Sequence, residues 1–313
     1  MSQTILITGI GGDIGQSVAL ILRESRPDIR LIGVDIHSQH GGPLFVDRCE
    51  LVPAAAAPGY FEALKGIVQK HSVDFVIPMS EPELGACLPF QEMAPGVKWI
   101  TPGARVVETG LDKLATISAL TGLGIPVPWT IPAKGGSPIC YPCILKSRYG
   151  SGSRSVFTLS NGEDLSYLVK RWPDAVLQEM LLPAERELTC AVYRTLQGRV
   201  ASLLMLRRLT GGFTGWAKVI HDEDTSRMCE AVAHGLDLRG SMNIQLRLTD
   251  QGPRIFEINP RFSSTVLMRH RIGFTDVLWA LSEAEGQTVQ FPTIPIGVTM
   301  VRIQGAMLCH ETK

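Results

Sequence analysis

The pattern that most restricts the fold lies in residues 4–80, where apolar, β-branched runs alternate with segments of helical spacing. "TILITGI" reads as a strand, and "GGDIGQSVALILRES" follows it with Ile14, Val18, Ile21 and Leu22 at helical intervals. "IRLIGVDI", "YFEALKGIVQKH" and "VDFVIPMS" continue as strand, helix and strand. A β-α-β-α-β order needs crossover connections, so it predicts a parallel sheet with helices on both faces. "GLDKLATISALTGLGIPVPWT" then reads as one helix that ends within 122–128. From "YPCILKSRYGSGSRSVFTLS" onward the strands are short and the turns Gly-rich, which predicts antiparallel hairpins. The expected fold class is therefore α/β followed by α+β.

Composition narrows the function. The chain has 313 residues, 45% hydrophobic and 19% charged, enough to bury a real core. Lys plus Arg and Asp plus Glu number 30 each, so no basic stripe points to nucleic acid or to an acidic membrane. No apolar run reaches the roughly 18–20 residues that span a bilayer. "MSQTILITG" lacks the charged start of a signal peptide. The seven cysteines are scattered among mostly apolar neighbours, which predicts buried, reduced thiols in a cytoplasmic protein. The CxxC at Cys140 and Cys143 has no second pair and no histidines at ligand spacing, so it reads as structural.

Three motifs carry chemistry. In "TGIGGDIGQS", Gly9, Gly12 and Gly15 fall between a strand and a helix, and Asp35 ends the next strand. That arrangement suits a dinucleotide with its ribose on Asp35, another substrate, or simply tight packing. In "CILKSRYGSGSRSVFTL", a basic, hydroxyl-rich glycine turn follows Lys146. It reads either as a loop over phosphates, with Lys146 as the cation, or as a plain polar hairpin. It is not a P-loop, because no Gly-Lys-Ser and no helix follow.

The third motif is "SMNIQLRLTDQGPRIFEINP", read as a hairpin of 242–248 and 253–259 closed by a three-residue loop, 250–252. In that register Gln245 lies opposite Glu257 and Asn243 opposite Asn259, with Arg247 on the same face. Ile255 falls on this face too, while Ile244, Leu246, Phe256 and Ile258 turn to the core. One face thus collects a carboxylate and three amides. Either it is solvated, or its oxygens suit Mg²⁺, which leaves much of its shell to water and nucleotide phosphates. Two Asn and one Gln within strands argue for the cation. Arg261, just past the strand, suits bidentate pairing with phosphate or carboxylate.

Together these segments resemble the ATP-grasp superfamily, and within it the branch related to the large subunit of carbamoyl-phosphate synthetase and its smaller carboxylate–amine ligase relatives. The resemblance spans nearly the whole chain and rests on "MNIQL…FEINPRFSS", "LDKLATISALTGLGIPVP", "ILKSRYGSGSRSV", "VLQEMLLPAERELTCAVY" and, before them, "ILITGIGGDIGQS" with "VIPMSEPELG". It implies a Rossmann-like domain at 1–110, a lid subdomain at 111–184, and a C-terminal ATP-grasp domain with the metal-binding hairpin at 185–313. It implies that Lys113 and Lys146 contact ATP phosphates under the loop of Ser151, Gly152 and Ser153. Glu179, Met180 and Leu182 would border adenine, and Glu187 would bind ribose. Gln245, Glu257 and Asn259 would hold Mg²⁺, or Mn²⁺ in its place. Asn243 and Arg261 would lie beside the transferred phosphate, and Arg207 with Arg208 would face the acyl substrate. Gln245 stands where many ATP-grasp enzymes carry an acid, as is usual in this branch.

The resemblance implies a ligase that activates a small, amino-acid-like carboxylate as an acyl phosphate and joins it to an amine, releasing ADP and phosphate. One ATP-grasp unit and no glutaminase are expected, which argues against carbamoyl-phosphate synthesis itself. Dimers are usual in the family. The rival readings are an NAD(P)-dependent oxidoreductase using Gly9–Gly15 and Asp35, and a non-catalytic nucleotide-binding module.

Overall fold

A computed structural model of the chain describes residues 3–93, 96–150, 156–303 and 305. The first layer contains β1 (Thr4–Thr8), α1 (Asp13–Ser25), β2 (Arg30–Asp35), β3 (Arg48–Leu51), α2 (Tyr60–His71), β4 (Phe75–Ile77), α3 (Glu81–Met93) and β5 (Lys98–Trp99). Its strands run parallel in the order β3-β2-β1-β4-β5. β1 is buried throughout, so alternate residues serve different cores: Leu6 packs with α2, while Ile5 and Ile7 pack with α1 and the far sheet.

A helical segment follows, and here the single helix expected from the sequence is corrected to two, α4 (Ala104–Leu111) and α5 (Lys113–Gly122). Asp112 breaks them with an extended backbone and caps α5, accepting from the Leu114 N–H at 2.9 Å. Gly103, at φ +91, starts α4 from a backbone conformation that glycine adopts without strain.

Next come β6 (Thr130–Pro132), β7 (Cys143–Ser147), β8 (Val156–Leu159), α6 (Gly162–Arg171) and β9 (Ala175–Glu179), which form a four-stranded antiparallel sheet ordered β6-β9-β7-β8. The last layer holds β10 (Glu187–Arg194), β11 (Val200–Thr210), β12 (Phe213–Val219), α7 (Glu223–Gly235), β13 (Gly240–Thr249), β14 (Gly252–Asn259), α8 (Val266–Arg271), α9 (Asp276–Ala284) and β15 (Thr299–Val301). Its six strands are antiparallel in the order β14-β13-β10-β11-β12-β15. Val106, Leu120 and α7 cover one face of this sheet. The other face, through Ala191, Tyr193, Met205 and Ala217, shares a core with α1, α8, α9 and the parallel sheet. The first and last layers are thus packed directly on each other, which fixes where the segment after β14 meets the parallel sheet.

A buried ion pair ties α8 and α9 to β13 and to the turn after β14. Arg269 and Asp276 are both inaccessible to solvent, with guanidinium-to-carboxylate distances of 3.0 and 2.6 Å. Ser241 donates to the same carboxylate at 2.5 Å, and Arg269 donates to the hydroxyls of Ser263 and Thr265 at 2.8 and 3.0 Å. Among the described residues Cys87, Cys143, Cys190 and Cys229 are buried as expected, but Cys140 is exposed, because only Cys143 lies within β7. Among the described residues no helix is long and apolar enough to cross a membrane.

Removing one partner of a buried pair strands the other charge and costs about 3–5 kcal/mol. Asp276→Ala is therefore expected to lower unfolding stability by that amount, while Ser241→Ala costs about 1 kcal/mol. Equilibrium urea denaturation measures both. Equal, small losses would show that the Arg269 network does not hold α8 and α9 on β13.

Candidate active site

The candidate site is built on the hairpin of β13 and β14. Near the end of β14 the register is as the sequence predicts, with Gln245 opposite Glu257 and Asn243 opposite Asn259. Toward the turn it is not. Thr249 pairs with Gly252, so the loop is the two residues Asp250 and Gln251, with Gly252 at φ +100. A bulge between Gln245 and Leu246 restores the register, and Leu246 pairs with Ile255. The faces expected for Ile255 and Phe256 are therefore exchanged. Ile255 is fully buried beside Leu246 and Ile258, whereas Phe256 joins the site face beneath Lys146 and Arg247, whose charged ends lie 5.4 and 6.0 Å from its ring centre. A shorter turn shifts the pairing by one residue, and the bulge absorbs it, because otherwise Glu257 would point into the apolar core.

The polar face is a connected network. Gln245 and Asn243 donate to Asn259 Oδ1 at 2.9 and 3.3 Å, Thr189 donates to Asn243 Oδ1 at 2.8 Å, and Asn259 donates to Glu257 at 2.8 Å. Burial pushes the Glu257 carboxyl up, but Lys146, Lys113, the Asn259 hydrogen bond and Arg207 outweigh it and hold its pKa below the usual carboxylate range. Glu257 is thus an anion facing two lysines.

Those lysines come from elsewhere in the chain. Lys146, on β7, reaches across to the Phe256 carbonyl at 3.4 Å. Burial is the largest influence on its ammonium and lowers its pKa to about 8; Lys113 lowers it further, while Glu257 and Glu187 oppose the fall. Lys113 opens α5 and donates to the Gly150 carbonyl at 2.7 Å. The approach to the glycine loop is fixed too, since Arg148 clasps Asp112 at 2.8 and 2.5 Å. Ser151, Gly152 and Ser153, expected over the phosphates, lie outside the described residues.

The other expected residues are placed as follows. Glu187 sits between two arginines: Arg207 donates to it at 2.9 and 2.6 Å, and Arg247 makes a second, very short contact. Arg207 also donates to Gln245 Oε1 at 2.9 Å, so it is an internal strut and does not stand open to an acyl substrate. Arg208 turns away and donates to the Glu185 carbonyl at 2.6 Å. The Glu179 carboxylate is taken by Arg254 at 2.8 Å and by the Trp129 N–H at 3.2 Å, Met180 is half-buried, and Leu182 is exposed. Arg261 is paired with Glu81 of α3 at 3.3 Å.

Sequence reasoning missed Glu81, Arg148 with Asp112, and the clasp of Arg247 on Glu187. The pairing of Glu187 with Arg247 across β10 and β13 was the one signal that strand register could have supplied. The described contacts of the N-terminal loop are structural ones. The Asp35 carboxylate accepts from the N–H groups of Gly11, Ile36 and His37 at 2.8, 2.8 and 3.3 Å, which braces the turn. A Cβ at Gly15 would come within 2.6 Å of the Gly9 carbonyl, so this glycine serves close packing. The dinucleotide reading is not favoured.

Residues 171–306 match the family model described as "ATP-grasp in the biosynthetic pathway with Ter operon", a span that includes the whole hairpin. That segment, 171–306, is therefore similar to an ATP-grasp domain. Solved structures share the fold over nearly the whole chain. An ADP complex of N5-carboxyaminoimidazole ribonucleotide synthetase superimposes with a TM-score of 0.79 at 18% identity, over 96% of this chain and 81% of that one. The same synthetase from Thermotoga maritima gives 0.73 at 20% identity, over 97% and 81%. The biotin carboxylase domain of Hydrogenobacter thermophilus 2-oxoglutarate carboxylase, bound to MgADP and bicarbonate, gives 0.74 at 15% identity, over 96% and 73%.

The lowered pKa of Lys146 gives a signed test. Its ammonium is charged below about pH 8 and lost above it. A nucleotide phosphate beside it should bind most tightly below that point, and then weaken by up to about tenfold per pH unit. Calorimetric titration of MgADP between about pH 7.5 and 9.5 should show this fall, and Lys146→Arg, which stays charged, should flatten it. A level profile in the unaltered protein would remove Lys146 from the nucleotide site.

Proposed function

We propose that the protein is an ATP-dependent carboxylate–amine ligase that works through an acyl phosphate and releases ADP and phosphate. One observation carries the reading: the anionic Glu257 carboxylate, embedded in an amide network on the six-stranded sheet, faces two lysines drawn from α5 and β7. A carboxylate held ionised against two cations and an amide network marks a site suited to handling charge.

The donor set suits magnesium held jointly with a nucleotide. Among the described residues no group of three or more His, Cys, Asp or Glu could hold a metal by itself. Glu257 with the amide oxygens of Asn259 and Gln245 offers one carboxylate and neutral oxygens, which fits an ion that completes its shell with phosphates and water. Magnesium held by these residues would supply positive charge to the phosphates of the nucleotide.

The chain's own residues then have distinct tasks. Lys146 and Lys113 bind phosphate oxygens, and Arg207 with Arg247 positions Glu187. The Glu179–Leu182 segment borders the base through its main chain. A substrate carboxylate oxygen attacks the γ-phosphorus, and the bond to the β,γ-bridging oxygen breaks with its electron pair leaving on ADP. The amine nitrogen next attacks the acyl carbon. Phosphate departs, the nitrogen loses a proton, and an amide or peptide bond remains. Arg261 lies two residues beyond Asn259, where it can steady the acid or the transferred group. Positioning and charge stabilisation do most of the work in such a transfer.

The test is product analysis across amino acids offered singly and in pairs, with bicarbonate included because one structural neighbour holds it. ADP and inorganic phosphate are expected, with a hydroxamate when hydroxylamine replaces the amine. Glu257→Gln keeps the side chain's shape and should retain the fold while losing roughly a hundredfold or more in turnover. AMP and pyrophosphate from a competent pair, or full activity in Glu257→Gln, would overturn the reading.

A further inference from the structure

A cavity of about 670 Å³ lies where the parallel sheet meets the six-stranded sheet, away from Lys146 and Glu257. That volume falls within the roughly 300–1,000 Å³ common for small-molecule sites. Its lining includes Trp99, Ile100, Arg105, Leu196, Ser241 and Phe262. Ser241, Asn243 and Gln245 alternate along β13, so they share one face of the sheet. The cavity therefore continues the face that carries the amide network, two residues or about 7 Å beyond Asn243.

Its charges are unevenly spent. Two acids line it, and both are occupied: Asp237 accepts from Arg194 at 2.9 Å, and Glu283 accepts from the Tyr193 hydroxyl at 2.8 Å and the Leu196 N–H at 2.9 Å. Of the four cations, Lys98 donates to the Ala284 carbonyl at 2.6 Å and Arg261 pairs with Glu81. Arg239 has one long ion pair, 3.6 Å from Asp237. Arg105 makes no hydrogen bond or ion pair among the described residues. Gly103 lies close to both, two residues before Arg105 and with the Arg239 side chain 3.7 Å from where its Cβ would be. Donor capacity is left over at Arg105 and Arg239, and Ile100, Leu196 and Phe262 give the same cavity apolar lining. Leu196 is 63% exposed, a large apolar side chain left uncovered in the cavity.

We propose that this cavity binds a small organic carboxylate, with its head group paired to Arg105 and Arg239 and its hydrocarbon body against Ile100, Leu196 and Phe262. Planar guanidinium groups match a carboxylate, and the apolar lining selects an acid with a hydrocarbon body over a bare inorganic anion. This acid is distinct from the one activated at Glu257, because its carboxylate is held by Arg105 and Arg239. Its occupant touches the 260–262 turn, whose Pro260 packs on Gly110, where an added Cβ would come within 2.7 Å. Binding here therefore bears on the position of Arg261. That consequence rests on the ligase reading; the binding itself does not.

The experiment is calorimetric titration of the full chain with hexanoate, with and without saturating MgADP, beside 1-hexanol and inorganic phosphate. Saturable one-to-one binding of hexanoate is expected in both conditions, with the alcohol and phosphate at least tenfold weaker. Arg105→Glu breaks no contact and should weaken hexanoate severalfold. The Arg105→Glu/Arg239→Gln double variant should weaken it at least tenfold, with unchanged MgADP affinity. No saturable hexanoate binding, equal affinity in the double variant, or phosphate binding as tightly as hexanoate would each overturn the proposal. Failure of MgADP to bind while hexanoate binds as described would count against the ligase reading alone.

Discussion

The structure turns on how one charge, the half-buried Glu257 carboxylate, is matched. Transferring an unpaired carboxylate out of water costs far more than one domain's net stability, so the surroundings must either neutralise it or match it. Here they match it: Lys146 and Lys113 approach, Asn259 donates to it, and the group stays ionised. This requirement explains several features with no other common cause. β7 must bring Lys146 against β14, α5 must begin at Lys113, and Arg148 must tie Asp112 so that both lysines converge. The bulge that accommodates Phe256 serves the same end by keeping Glu257 on the polar face.

The same logic extends along β10 and β13. Glu187 would be a second like charge beside Glu257, yet Arg207 and Arg247 take both its oxygens. Arg207 also holds Gln245, so the arginine pair links the ends of the network. Networks of this kind are stabilising only when each member is satisfied, and the amides of Asn243, Gln245 and Asn259 meet that condition within the sheet. The result is a preorganised anionic spot in a cationic setting, suited to a metal ion that arrives with phosphates.

Much of this was legible in the sequence. Period-2 alternation placed Asn243, Gln245, Glu257 and Asn259 on one face, and β-branched runs located β1, β2 and β4. β3 was not legible, because its four residues are all exposed or half-exposed and carry no apolar period. α4 was missed because only its last two residues, Gly110 and Leu111, fell within the helix read from the sequence. The faces of Ile255 and Phe256 came out exchanged because a bulge leaves no local mark in a sequence. The pairing of Arg261 with Glu81 joins residues 180 positions apart, so only the packing of the two layers could disclose it. The roles of Lys113 and Lys146 came from resemblance to a family, since a lysine before a glycine turn is by itself ambiguous.

The central claim is that a single carboxylate serves as a metal site only in company with a nucleotide. Paramagnetic titration with Mn²⁺ tests it directly. The account predicts negligible Mn²⁺ binding to the protein alone, saturable binding once ADP is present, and loss of that nucleotide-dependent binding in Glu257→Gln. Tight Mn²⁺ binding without any nucleotide, or an unchanged ternary complex in Glu257→Gln, would contradict it.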